Sequence, residues 1–344
     1  MPQLFEPKPG QENLFIFDKT PTYLFRLHVP RSKGDTSTVH VMAPAFLGRT
    51  AYHRDRLPCG EDLLQLPTKI ATSRLKDHLR WNSLLFLLQY ALYRHTTDFE
   101  PKPQFPNIKI IMIDTRDFPE QIFLRDLDAL EWLHEQPDPV FKRLYNNRNG
   151  RFYFGEYLTQ GYLDITGKCV EMTMQQLVDG GLFTAICPAL DKPQNDWKEW
   201  PKAVCNRLRV DIASNKAVDQ KQIRTAIFLA RDCVGDRFLV PLALMLLGLR
   251  SRQSDNAAIA NAFHSLFTDQ DKELVFRGVK YDQSSERMEE LRRFQELMEV
   301  VKKQHDDNSL AVTTRLMEGL GLSTNEMSTN PTKTRIYVGP FGNE

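Results

Sequence analysis

Three side chains in this sequence have the type and setting to meet a charged ligand: Arg26, Ser83 and Glu156. Arg26 sits in the run Tyr23-Leu24-Phe25-Arg26-Leu27-His28, whose aromatic and apolar content predicts a strand ended by Pro30. A strand arginine between apolar neighbours must turn to solvent or into a polar cavity. Asn82 or Ser83 is the natural N-cap of the apolar segment that follows, and the free amides of a helix N-terminus favour an anion. Glu156 follows Gly155 in the run Arg151-Phe152-Tyr153-Phe154-Gly155-Glu156-Tyr157, so a carboxylate is set into an otherwise apolar region. Each of the three also has a plain structural reading: an edge-strand arginine, an N-cap serine and an exposed strand glutamate. Residue physics alone favours those plain readings.

Other chemistry has little foothold. The sequence lacks GxGxxG, P-loop, GxSxG and HExxH patterns. Its eight histidines are dispersed, and its five cysteines stand singly with no spacing suited to zinc. That cysteine usage predicts a reducing, intracellular setting, cytoplasmic or nuclear, with no disulfide framework and no metal. Asp114 ends a strand-like run, where α/β enzymes often place a catalytic carboxylate, but a turn carboxylate ahead of Pro119 is the simpler role. The run 286–293 reads as a solvated helix face. With 45 Lys and Arg against 44 Asp and Glu, the net charge of +1 predicts no nucleic-acid partner and no anionic membrane partner. No apolar stretch reaches the length of about 18 residues needed to span a bilayer. The first residues lack the basic patch and apolar run of a secretory signal.

The elements that must hold the three residues can be read from periodicity. Strands are expected at 23–28, 38–42, 108–113, 151–157 and 163–172, with 108–113 the clearest of them. A helix buried on most faces is expected at 84–94 because LLFLLQYALY is almost continuously apolar. Short helices are expected at 126–135, 140–145 and 174–178. Beyond about residue 188 strand signals vanish, and helical spacing runs through 203–212, 220–234, 239–251, 257–267 and 285–303. The sequence therefore divides into an arm at 1–19, an α+β region at 20–190, a helical region at 191–322 and a polar tail at 323–344.

Several blocks resemble a domain family of unknown function common in filamentous fungi. They are Leu24-Phe25-Arg26-Leu27-His28, His78-Leu79-Arg80-Trp81-Asn82-Ser83-Leu84-Leu85-Phe86 with Gln89-Tyr90-Ala91, Ile111-Met112-Ile113-Asp114-Thr115, and Gly155-Glu156-Tyr157-Leu158-Thr159-Gln160-Gly161. The resemblance covers roughly residues 20 to 190. Their order is also distantly similar to the ADP-ribosyltransferase fold, which uses an Arg on its first strand, a Ser-bearing strand leading into a helix, and a late Glu. That resemblance implies an ADP-ribosyltransferase-like α+β domain followed by an all-α domain, with NAD as substrate. Arg26 would hold the NAD phosphates or ribose and Ser83 would order the nicotinamide pocket. Glu156 would be the catalytic residue, opposing the positive charge that grows on the ribose as the glycosidic bond breaks.

The sequence departs from that pattern in two places. Trp81-Asn82-Ser83 follows a helix-like stretch with little room for a strand. Phe154 stands where arginine-modifying members carry a second Glu, which leaves NAD hydrolysis, another acceptor or a degenerate site. The alternative expectation is an inactive interaction module that presents its helical half to a protein partner.

Overall fold

A computed structural model describes residues 4–5, 17–32, 34–42, 80–98, 100–134, 139–150, 152–192, 198, 201–205, 219–249, 256–264, 266, 274–282 and 287–319. Most of the helix expected at 203–212 lies outside them. The chain mixes helices with two antiparallel sheets, so the α+β reading holds.

The larger sheet is assembled from strands far apart in the sequence. Its strands are β1 (Tyr23–His28), β4 (Arg80–Trp81), β5 (Lys109–Asp114), β6 (Leu124–Arg125), β7 (Glu156–Leu158) and β9 (Cys169–Thr173). They run in the order β6-β7-β4-β1-β5-β9. The smaller sheet joins β2 (Asp35–Thr36), β3 (His40–Met42) and β8 (Tyr162–Asp164) in the order β2-β3-β8. β1 and β5 pair over six residues, Tyr23 opposite Asp114 through His28 opposite Lys109. Phe25, Leu27, Ile110 and Met112 therefore share one face, while Leu24, Ile111 and Ile113 share the other.

The first face carries the main core. Helix α1 (Leu84–Thr97) packs there, with Leu85, Leu87, Leu88, Ala91 and Leu92 fully buried, as its continuous apolar sequence requires. The same cluster takes in helices from the second half of the chain, through Leu242, Leu244 and Leu246 as well as Phe294 and Met298. The second face of the sheet packs Leu24, Ile111 and Ile113 against Val41 of β3 and Leu163 of β8. The result is three layers: helices, the large sheet, and the small sheet.

The remaining helices are α2 (Asp126–His134), α3 (Pro139–Arg148), α4 (Met174–Asp179), α5 (Gln220–Cys233), α6 (Asp236–Gly248), α7 (Asn256–His264) and α8 (Glu289–Gly319). Every regular element described beyond residue 191 is helical. α5 starts on a capping box in which Asp219 and Gln222 exchange side-chain and backbone bonds. α6 is buried from Phe238 to Gly248 and forms the centre of the helical half.

Three expectations need correction. Trp81 does belong to a strand, the two-residue β4, which is held between β1 and β7. The single strand expected at 151–157 is reduced to Glu156–Leu158. The strand expected at 163–172 is two strands, because Gly167 turns the chain at φ 70° and Lys168 N–H donates to Ile165 O.

Candidate functional site

The register of the large sheet decides whether Arg26, Ser83 and Glu156 can act together. Phe25 stands opposite Trp81, and Trp81 opposite Glu156, so those three share the helix-covered face. One residue along the same antiparallel register Arg26 stands beside Arg80, which is opposite Tyr157; these face the small sheet. Arg26 and Glu156 thus leave the sheet on opposite faces. The structure does not bring the three residues into one cleft.

Each is engaged inside the fold. Arg26 lies on an interior strand, not an edge, and its Nε donates to Thr36 Oγ1 on β2 at 2.9 Å. Arg80 beside it is fully buried, and desolvation, then the charge of Arg26, pull its pKa well below the ordinary arginine value. The ground next to Arg26 is therefore filled by a second guanidinium.

Ser83 is the N-cap of α1, as its position in the sequence suggested: its Oγ accepts from Phe86 N–H at 3.1 Å. The same hydroxyl donates to Glu290 Oε1 on α8 at 2.6 Å. The anion drawn to this helix N-terminus is the protein's own carboxylate. Glu290 is 3% exposed, which corrects the solvated-face reading of 286–293 at that position. The flanking Met288 and Leu291 are also buried, and that apolar bracket is the signal that could have revealed it.

Glu156 is fully buried, not the exposed strand carboxylate of the plain reading. Its Oε2 accepts from Phe154 N–H at 3.0 Å, and its Oε1 forms an ion pair with Arg148 on α3. Gly155 brings it there. Its φ of 71° is left-handed, and a Cβ at this position would lie 2.8 Å from Asn82 Cβ. The close approach lets Asn82 N–H donate to Gly155 O at 2.8 Å, joining β7 to the entry of α1. Gly155→Ala is expected to cost about 2 kcal/mol or more, the sum of left-handed strain and the contact, read as a lowered midpoint in chemical denaturation.

Arg148 also reaches towards Asp126, with Nε 3.8 Å from Oδ2. Burial raises the Asp126 carboxyl from its ordinary 3.8 to about 6, against the charges of Arg148 and Arg125. A folded pKa above the unfolded one means that protonation accompanies folding. The stability this confers is complete below pH 3.8 and lost as pH rises through about 6. Asp126→Asn should flatten that slope and raise stability at pH 7 by on the order of 2 kcal/mol. Denaturation midpoints from pH 4 to 8 would check it; an unchanged slope would remove Asp126 as its source.

Asp114 is the best-tied carboxylate of the described residues. Its side chain is fully buried at the end of β5 and is gripped by two arginines. Arg116 Nη2 lies 2.5 Å and Arg237 Nη2 2.8 Å from Asp114 Oδ2. Burial by itself would raise this carboxyl, and the hydrogen bonds and charge of Arg116, with Arg237, bring it below its ordinary 3.8. It caps the turn at Thr115–Asp117 by accepting from Arg116 N–H, so the turn-carboxylate role holds. Arg237 belongs to α6, and Arg116 Nη1 donates to the carbonyls of Leu274 and Arg277, so this cluster joins the sheet to the helical half. A carboxylate held ionised by two cations is a joint, not a general base.

Among the described residues no group of His, Cys, Asp and Glu is placed to hold a metal, and no helix is long and apolar enough to cross a membrane. Scans of the chain against protein families, curated proteins and solved structures find no match in any of the three.

Proposed function

We propose that the chain is a catalytically inactive interaction module: an ADP-ribosyltransferase-like α+β domain whose charged positions serve the fold, with the helical half presenting the binding surface. The observation that carries this reading is the far end of α8. Along that helix Met298, Val301 and His305 form a buried stripe. Seven and eleven residues after His305, within about 20° of the same line, come Val312 at 55% and Leu316 at 63% exposure. The core-facing stripe of α8 thus runs on beyond the body that covers its first half. Apolar side chains spaced i, i+4 on a helix fit another amphipathic helix, so the partner is a protein that offers one.

The NAD-consuming reading finds less support. With Arg26 bonded to Thr36, Ser83 to Glu290 and Glu156 to Arg148, the groups meant for phosphate, nicotinamide and ribose already have partners.

Two measurements test the proposal. Calorimetry with millimolar NAD should detect no binding, and no nicotinamide should be released; release that Glu156→Gln abolishes would overturn the inactive assignment. Proximity labelling in cells should recover a partner that the double variant Val312→Ser/Leu316→Ser loses while its melting temperature stays unchanged. A partner set indifferent to that variant would remove α8 as the surface.

A further inference from the structure

We propose that a cleft beyond the end of β5 binds a small organic monoanion with an aromatic or branched apolar body, and that Arg277 holds its acidic group. The site is separate from the α8 surface. The cleft measures about 660 Å³, within the range of about 300–1,000 Å³ typical of small-molecule sites. Phe17, Phe118, Phe123 and Leu274 supply apolar wall. Leu274 is 44% exposed, an aliphatic side chain lying open at the rim.

The charges around this wall are unequally occupied. Arg116 and Arg237 are spent on Asp114, Asp117 and backbone carbonyls. Lys280 Nζ faces Glu120 at 3.6 Å. The Arg277 guanidinium makes no hydrogen bond or ion pair among the described residues, although it lines the cleft and is exposed. Lys168, outside the lining, sits over the ring of Phe118. Among the described residues, the four cations of the lining therefore meet Asp117, Glu120 and the adjoining Asp114, and Arg277 is left without a carboxylate.

That side chain is mounted on a fixed base. Arg116 Nη1 holds the carbonyls of Leu274 and Arg277 at 2.7 and 3.0 Å. Lys280 N–H donates to Thr22 Oγ1 at 2.8 Å, and Thr22 N–H to Lys280 O at 3.0 Å. Between these anchors Gly278 takes a left-handed φ of 60°, which turns the chain so that Arg277 and Lys280 both line the cleft. A cation on a backbone already held in place binds an anion with little further ordering of the chain. A single negative charge balances the site, whereas a dianion would have to draw Lys280 away from Glu120.

The probe is anilinonaphthalene sulfonate, an aromatic monoanion, titrated by fluorescence into the full chain. Phenylnaphthylamine, its uncharged analogue, serves as comparison. Arg277→Glu should weaken the sulfonate about ten-fold, the loss of one charge-assisted contact, and leave the uncharged dye within about two-fold. Arg277→Lys should restore the sulfonate, and Leu274→Asp should weaken both dyes. Among the described residues Arg277 has no side-chain partner to lose on substitution, and an unchanged melting temperature will show that its variants fold. Equal sulfonate affinity in wild type and Arg277→Glu would overturn the proposal, as would equal loss of the two dyes or indifference to Leu274→Asp.

Discussion

Asp114→Ala is expected to lower stability by about 3–5 kcal/mol, the usual consequence of removing one partner from a buried ion cluster. Two guanidiniums, 17% and 24% exposed, would face each other across the vacated carboxylate. Asp117 would remain, but it forms an ion pair with Arg237 and acts on Arg116 only through its charge, so one carboxylate would be left to serve two guanidiniums. The damage should be directional. Amide exchange should accelerate first at 274–280 and at the start of α6, the two segments that Arg116 and Arg237 tie to β5. Asp114→Asn should retain part of the geometry and lose most of the charge term. The wild type carries the same signature in acid: a carboxyl depressed below its ordinary 3.8 contributes stability present above that pH and lost as pH falls through the lower folded value. A variant whose acid limb matches wild type would show that another carboxylate governs it.

Glu156→Ala should rank next, at about 3 kcal/mol, because among the described residues it leaves Arg148 with only the distant Asp126 and removes the acceptor of Phe154 N–H. Glu156→Gln should cost less, since an amide oxygen can still accept from Phe154. A double-mutant cycle makes the structural role explicit. Arg148→Met combined with Glu156→Leu should recover much of what either single change loses, with a coupling energy of about 2 kcal/mol. A catalytic glutamate would give no such recovery. If Glu156→Ala leaves the denaturation midpoint in place, the pair is not a structural element and the case against a catalytic Glu156 is lost.

Local chemistry in the sequence was enough to reveal β1, β5, α1 and the helical character of everything described after residue 191. β-branched and aromatic runs announce strands, and LLFLLQYALY announces a helix wrapped on most sides. Ser83 as an N-cap was legible for the same reason, since a cap is a relation between residues three apart. Its second partner was not: Glu290 lies 207 positions away in a run whose charge pattern looks solvated. β4 was hidden because two residues carry no periodicity, and only the strands on either side make Arg80 and Trp81 a strand. The same register that defines β4 settles the fate of the candidate site. Alternation within each strand is local, but whether Arg26 and Glu156 share a face depends on pairings spread over more than a hundred residues. The split of 162–173 did leave a trace, in Gly167 between two apolar stretches.

Helix α8 has a mechanical consequence. Its 31 residues make a rod of about 46 Å, with Glu290 fastened at one end to the first turn of α1 and Val312 and Leu316 standing free near the other. A protein that grips the free end holds a long arm whose fulcrum is the body packed along its first half. A small sideways tug on the arm is delivered to the Ser83 bond and so to the entry of the most deeply buried helix in the α+β region. A load at the tip is therefore shared between the packing of α8 on α6 and α7 and the bond from Ser83 to Glu290, which carries part of it into the α+β region.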